Sequence, residues 1–74
     1  MTTLLKPGIY QHYKGPLYKV LMVAKHSENE ELHVVYQTQY GDYDFWLRPL
    51  TMFTEMVTVD GQTVPRFRYI GPAD

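Results

Sequence analysis

The sequence predicts a mostly β domain, a small strongly bent antiparallel sheet or SH3-like barrel of five to six strands with one short helical turn near residues 49–53. Three observations lead there. Apolar and polar residues alternate over short runs, the period of half-buried strands. Gly and Pro punctuate the chain at short intervals: Pro7-Gly8, Gly15-Pro16, Gly41-Asp42, Pro49, Asp60-Gly61, Pro65 and Gly71-Pro72. Asp60-Gly61 lies between two apolar runs, and this dipeptide prefers the type I′ turn of a tight hairpin.

The first strand is expected over Gly8–Tyr13, with a turn at Lys14-Gly15-Pro16. That turn would set His12 opposite Tyr18 and Tyr10 opposite Val20. The second strand, Leu17–Lys25, has Tyr18, Val20, Met22 and Ala24 on its even positions, which predicts one face buried throughout. The polar stretch Ser27-Glu28-Asn29-Glu30-Glu31 reads as a loop. In the third strand, Leu32–Gln39, the residues Leu32, Val34, Tyr36 and Thr38 form the drier face. After a turn at Tyr40–Asp44, a short fourth strand covers Phe45–Arg48, with Phe45 and Leu47 suited to the core. Pro49 is tolerated at the start of a helix, so Pro49–Phe53 suits a single helical turn. Glu55–Val59 and Gln62–Ile70 complete the set. Pro65 lacks a backbone donor, so its part of the last strand should lie at an edge or a bulge.

Seventy-four residues make one domain, with its ordered part expected at about 6–70. A chain this short buries only about 60% of the surface that it exposes when unfolded, so its stability margin is thin. There is no cysteine, which removes disulfides and thiolate metal sites. Apolar packing must carry the fold. A hydrophobic content of 45%, with seven Tyr, three Phe and one Trp, supplies large buried areas per side chain. The formal net charge of −1 argues against a partner held by bulk positive charge. No apolar run approaches the roughly 20 residues of a membrane span. The segment Met1–Lys6 has no signal-peptide core, so a cytoplasmic protein without a membrane partner is expected.

Six phrases, Gly8-Ile9-Tyr10-Gln11-His12-Tyr13-Lys14-Gly15, Val23-Ala24-Lys25-His26-Ser27-Glu28, Val34-Val35-Tyr36, Tyr40-Gly41-Asp42-Tyr43, Trp46-Leu47-Arg48-Pro49 and Val64-Pro65-Arg66-Phe67, together resemble one family of small bacterial proteins. It is the domain-of-unknown-function family 1653, and the resemblance runs from about Lys6 to Ile70. It implies a short, β-rich bacterial domain. It brings no established activity, ligand or catalytic residue, so no role is carried over. The chain has Gln11 and Lys25 where the family pattern has Arg.

The residues offer little for catalysis. Ser27 is the only serine, next to His26 in an acidic loop, and sequence neighbours on a strand point to opposite faces. The three imidazoles are His12, His26 and His33. His12 and His26 lie roughly 25 Å apart along the first hairpin at 3.3 Å per residue. If His26 faces Leu32, His33 turns to the other side, and a register slip of one residue would reverse that. No catalytic residue, metal site or cofactor is therefore expected, and ordinary surface histidines are the simpler reading.

Aromatic side chains offer more. Asp44, Trp46 and Arg48 alternate and should share one face of the fourth strand. An aromatic plate between fixed charges can receive a planar group or a peptide, although Trp46 could equally cover a core edge. Tyr10, His12, Tyr13 and Tyr18 form a second constellation that could line a groove for an extended peptide, or could fill the core. Arg66 and Arg68 share a face of the last strand. With Arg48 and Trp46 they could contact single-stranded nucleic acid, or they could be solvated guards of an edge.

The expected function is therefore a non-catalytic binding module with an aromatic-lined groove for a protein or peptide. A nucleic-acid contact module using Arg48, Arg66, Arg68 and Trp46 is the alternative, and a small enzyme or metal-dependent subunit the second. A monomer or weak homodimer suits a domain of this size.

Overall fold

A computed structural model of the chain describes residues 5–73. Met1–Leu4 of the N-terminal segment and Asp74 lie outside the described residues. The strands are β1 (Gly8–His12), β2 (Leu17–Lys25), β3 (Leu32–Thr38), β4 (Phe45–Pro49), β5 (Met56–Val59), β6 (Gln62–Pro65) and β7 (Phe67–Gly71). A single helical turn, α1 (Leu50–Phe53), follows Pro49 as that residue's position predicts. The main sheet has the antiparallel order β4-β3-β2-β1-β7, and β5 and β6 form a separate hairpin. The sheet is bent and open, with β4 and β7 at its two edges, so the barrel form is not closed.

The extra strand arises at Arg66. The expected last strand, Gln62–Ile70, breaks there into β6 and β7. Pro65 has no N–H to continue the ladder, and it ends the pairing with β5 opposite Met56. Arg66 bonds to both sides of the break. Its N–H donates to the Glu55 carbonyl at 3.0 Å, and its carbonyl accepts from Tyr13 N–H at 2.9 Å. Its guanidinium pairs with the Glu55 carboxylate at 3.1 Å. Asp60 and Gly61 have φ of 50° and 79°, the two positive values that a type I′ turn requires, and Val59 pairs with Gln62 across it.

Two register expectations are corrected. In the first hairpin Leu17 pairs with Gln11 and Tyr18 with Tyr10, so His12 does not face Tyr18 and Tyr10 does not face Val20. The turn is wider than Lys14-Gly15-Pro16. It spans residues 12–16 and closes with His12 N–H on the Pro16 carbonyl at 2.9 Å and Gly15 N–H on the His12 carbonyl at 2.8 Å. In the second hairpin Lys25, not His26, pairs with Leu32. That slip of one residue brings His26 and His33 to the same side, ring centroids 5.6 Å apart.

A bulge in β2 between Val20 and Met22 changes which residues face inward. Tyr18 and Val20 point into the core, but beyond the bulge Val23 does so, and Met22 is 55% exposed. The expectation of a single even-numbered buried face in β2 fails for that reason. β4 is corrected as well: Phe45 and Leu47 lie on the convex, solvent-facing side of an edge strand and are 62% and 61% exposed. The third strand behaves as its alternation predicts, with Val34, Tyr36 and Thr38 all buried.

The core comprises Tyr10, Val20, Val34, Tyr36, Phe53 and Phe67 on the concave side of the sheet. It is largely aromatic, which gives a small domain without disulfides a large buried area per side chain. α1 brings Phe53 across the sheet. Its ring stacks on Phe67 with centroids 4.1 Å apart and planes 2° from parallel, and Tyr10 meets it edge-on at 5.5 Å.

Candidate functional site

β3 and β4 position the candidate site. Thr38 N–H donates to the Asp44 carbonyl at 3.1 Å, and Tyr36 pairs with Trp46 and Val34 with Arg48. Because Tyr36 and Val34 face the concave side, Asp44, Trp46 and Arg48 face it too. Tyr18 on β2 lies beyond Tyr36, their rings edge-on at 5.3 Å. The Tyr40–Asp44 turn returns over the same side, with Gly41 and Tyr43 at positive φ and Tyr43 N–H bonded to the Tyr40 carbonyl. The result is a concavity of about 360 Å³ lined by Tyr18, Tyr36 and Tyr40 and by Asp44, Trp46 and Arg48, with Asp42 of the turn also in its wall.

Four residues singled out by sequence thus share this concavity: Asp44, Trp46, Arg48 and Tyr18. The other three do not line it. Tyr10 is a core residue, its hydroxyl donating to the Lys6 carbonyl at 2.7 Å. His12 and Tyr13 line a second concavity of about 440 Å³, between the β1–β2 turn and the β5–β6 hairpin, together with Val64, Pro65 and Arg68. Sequence reasoning missed Tyr36 and Tyr40 as wall residues. Tyr36 looked like pure core. Tyr40 sits in a turn with no periodicity, and its only signal was closeness in the chain to the Asp44-Trp46-Arg48 run.

Trp46 is 55% exposed, so most of its indole is free to be covered. Arg48 is held. Its Nε donates to the Tyr36 hydroxyl at 3.4 Å, a long bond, and its guanidinium lies 5.5 Å from the Phe67 ring centroid. Asp44 makes no ion pair among the described residues; the one present there joins Arg66 and Glu55. The floor therefore offers aromatic faces, a fixed cation and an open carboxylate within one small space.

The Tyr18 and Tyr40 hydroxyls share a hydrogen bond of 2.9 Å. Burial, and then this bond, push the Tyr18 phenol up to about 12. An absorbance titration at alkaline pH should accordingly show late phenols, Tyr18 and also Tyr10, which burial in the core pushes up as well. The unfolded chain gives up the Tyr18 proton near 10. Tyr18's contribution to stability is then complete below pH 10 and is lost as pH rises toward 12. Tyr40→Phe should lower the Tyr18 value and narrow that window. Ionisation of every tyrosine before pH 11 would contradict the arrangement.

His12 is packed edge-on against Phe67, centroids 5.0 Å apart. Burial first, then the charges of Arg66, Arg48 and Lys14, lower its pKa. Its Nδ1 accepts from Lys14 N–H at 3.1 Å, which leaves the ring proton on Nε2 in the neutral form. The neutral imidazole acts here as part of the aromatic packing. His26 and His33 come together at the other end of the sheet, but no group of three or more His, Cys, Asp or Glu among the described residues could hold a metal. Of the arginines, Arg48 lines the aromatic concavity, Arg66 is paired with Glu55, and Arg68 bonds to Gln11 Oε1 at 3.2 Å beside the second concavity.

Among the described residues no helix is long and apolar enough to cross a membrane. No curated protein matches the chain. A crystal structure of a DUF1653 protein from Bordetella bronchiseptica is similar to it over 95% of this chain and 92% of that one, at 35% identity and a TM-score of 0.85. The family described as "Protein of unknown function (DUF1653)" matches residues 8–69. With that match and the shared bent-sheet fold, the chain belongs to the DUF1653 family.

Proposed function

We propose that this domain is a non-catalytic binding module that takes an extended segment of a partner protein in the concavity between Tyr18, Tyr40 and Trp46. The observation that carries this reading is Trp46, a large half-open aromatic side chain set between Asp44 and Arg48 in a concavity shared with three tyrosines. Exposed Trp, Tyr and Arg in one depression is the composition of a binding hot spot, because these side chains desolvate large areas with few rotors. The tyrosine hydroxyls and Asp44 offer hydrogen bonds to a peptide backbone, and Arg48 offers a site for a carboxylate.

Peptide display against the immobilised domain tests it. Selected peptides should shift the emission of the single tryptophan. Trp46→Ala should bind the same peptides roughly 30-fold more weakly, the effect of losing a hot spot of about 2 kcal/mol. Its thermal midpoint should stay close to that of the wild type. Selected peptides that bind Trp46→Ala as tightly as wild type would refute the reading.

A further inference from the structure

The β4 edge is the least protected part of the fold. Thr38 pairs with Asp44 by a backbone hydrogen bond, and antiparallel ladders alternate. Asp44, Trp46 and Arg48 therefore turn their backbone groups toward β3, and Phe45 and Leu47 turn theirs outward. No other described strand covers this edge. Edge strands are usually guarded by charges, Pro or bulges. β4 has Pro49 at one end, but its middle is Phe45-Trp46-Leu47, all more than half exposed. The opposite edge, β7, is guarded by the exposed Arg68.

The sequence of β4 is complementary to itself when reversed. Antiparallel pairing of two copies about Trp46 sets Phe45 opposite the partner's Leu47, and both exchange their outward N–H and C=O groups. It sets Trp46 opposite the partner's Trp46 in a non-hydrogen-bonded pair, where side chains come closest, with Cα atoms about 4.5 Å apart. It sets Asp44 opposite the partner's Arg48, twice by symmetry, which gives both charges an ion-pair partner that no described residue of the single chain provides. On the convex side Phe45 and Leu47 adjoin the exposed Met22 across Val35, so the apolar strip continues over the joint.

From this we infer that the domain self-associates through β4 into a two-fold dimer with one continuous sheet, in which the two aromatic concavities meet at paired Trp46 side chains. The occupant is a second copy of this chain because residues 44–48 alternate in charge and size so as to match their own reversal. The inference stands apart from the peptide-binding proposal, since it concerns the protein without ligand.

Sedimentation equilibrium from about 10 μM to 1 mM tests it, with Trp46 emission followed over the same range. Wild type should pass from monomer to dimer, and the emission should change with it. Asp44→Arg sets arginine against arginine at both ends of the joint and should weaken association about tenfold or more. Arg48→Glu should do the same by setting carboxylates together. An equimolar mixture of the two variants should recover association, because each supplies the charge that the other lacks. Arg48 also packs on Phe67, so Phe45→Lys at an open position gives a weakening variant that leaves the core alone. A wild type that stays monomeric up to 1 mM would overturn the inference. So would Asp44→Arg associating as strongly as wild type, or a mixture no stronger than its components.

Discussion

Phe53→Ala is expected to abolish or nearly abolish the folded state. Phe53 is 1% exposed and is the only buried residue that α1 contributes. It stacks on Phe67 and meets Tyr10 and Tyr36 at 5.5 and 5.9 Å. Three strands thus converge on one ring. Deleting a buried Phe costs about 3–5 kcal/mol, since the lost transfer energy adds to the cavity left behind. A domain of this length has about 4–11 kcal/mol in all. Its small core offers few neighbours to collapse into the void. Urea unfolding followed by tyrosine and tryptophan emission should show the variant unfolded, or with its midpoint reduced by a third or more. Phe53→Leu, which keeps most of the volume, should be milder. A loss below 1 kcal/mol in Phe53→Ala would mean that α1 is not the lid of this core.

Gly8→Ala should be the most damaging change at any glycine. Gly8 has φ of +145°, a region that an L side chain rarely enters. A Cβ built there lies 2.6 Å from the Gly71 carbonyl oxygen and 2.9 Å from the Tyr69 ring. The oxygen belongs to the backbone of β7, beside the bulge where β1 shifts register between Ile9 and Tyr10, so no rotamer change removes the clash. β1 and β7 must part, or Gly8 must change conformation and the bulge with it. Strain of about 1–3 kcal/mol and overpacking of a similar size add. Gly41, at φ of +60°, has open space around its Cβ position, so Gly41→Ala bears strain alone. Thermal melts of the two variants should rank Gly8→Ala well below Gly41→Ala, and equal midpoints would contradict the close approach of β1 and β7.

The strand set is legible in the sequence wherever local chemistry decides it. Asp60-Gly61 dictates its own hairpin, Pro49 marks the start of α1, and the alternation of Leu32–Thr38 gives the inward face of β3 correctly. The departures come where the third dimension decides. A bulge adds one residue to β2 and moves Met22 to the outside, which no count of alternating positions reveals. Alternation put Phe45 with Leu47 and Trp46 with Arg48, but each face of β4 carries a large apolar side chain. Only the pairing of Tyr36 with Trp46 tells which side meets the core. Pro65 signalled an interruption but not that β7 would leave the β5–β6 hairpin to join β1. The candidate site shows the same division. Asp44, Trp46 and Arg48 were legible because they share one strand. Tyr10 and His12 were placed in a register that the wider 12–16 turn does not allow. Tyr40 joins the site through a hydrogen bond to a residue far away in the chain, beyond the reach of any local pattern.

Amide and side-chain chemical-shift mapping of the domain with a display-selected peptide is the most direct test of the binding proposal. The proposal predicts that the perturbed signals cluster on Tyr18, Tyr40, Asp44, the Trp46 indole and the Arg48 Nε. Perturbations centred instead on His12, Tyr13, Val64 and Arg68 would move the site to the other concavity and contradict it.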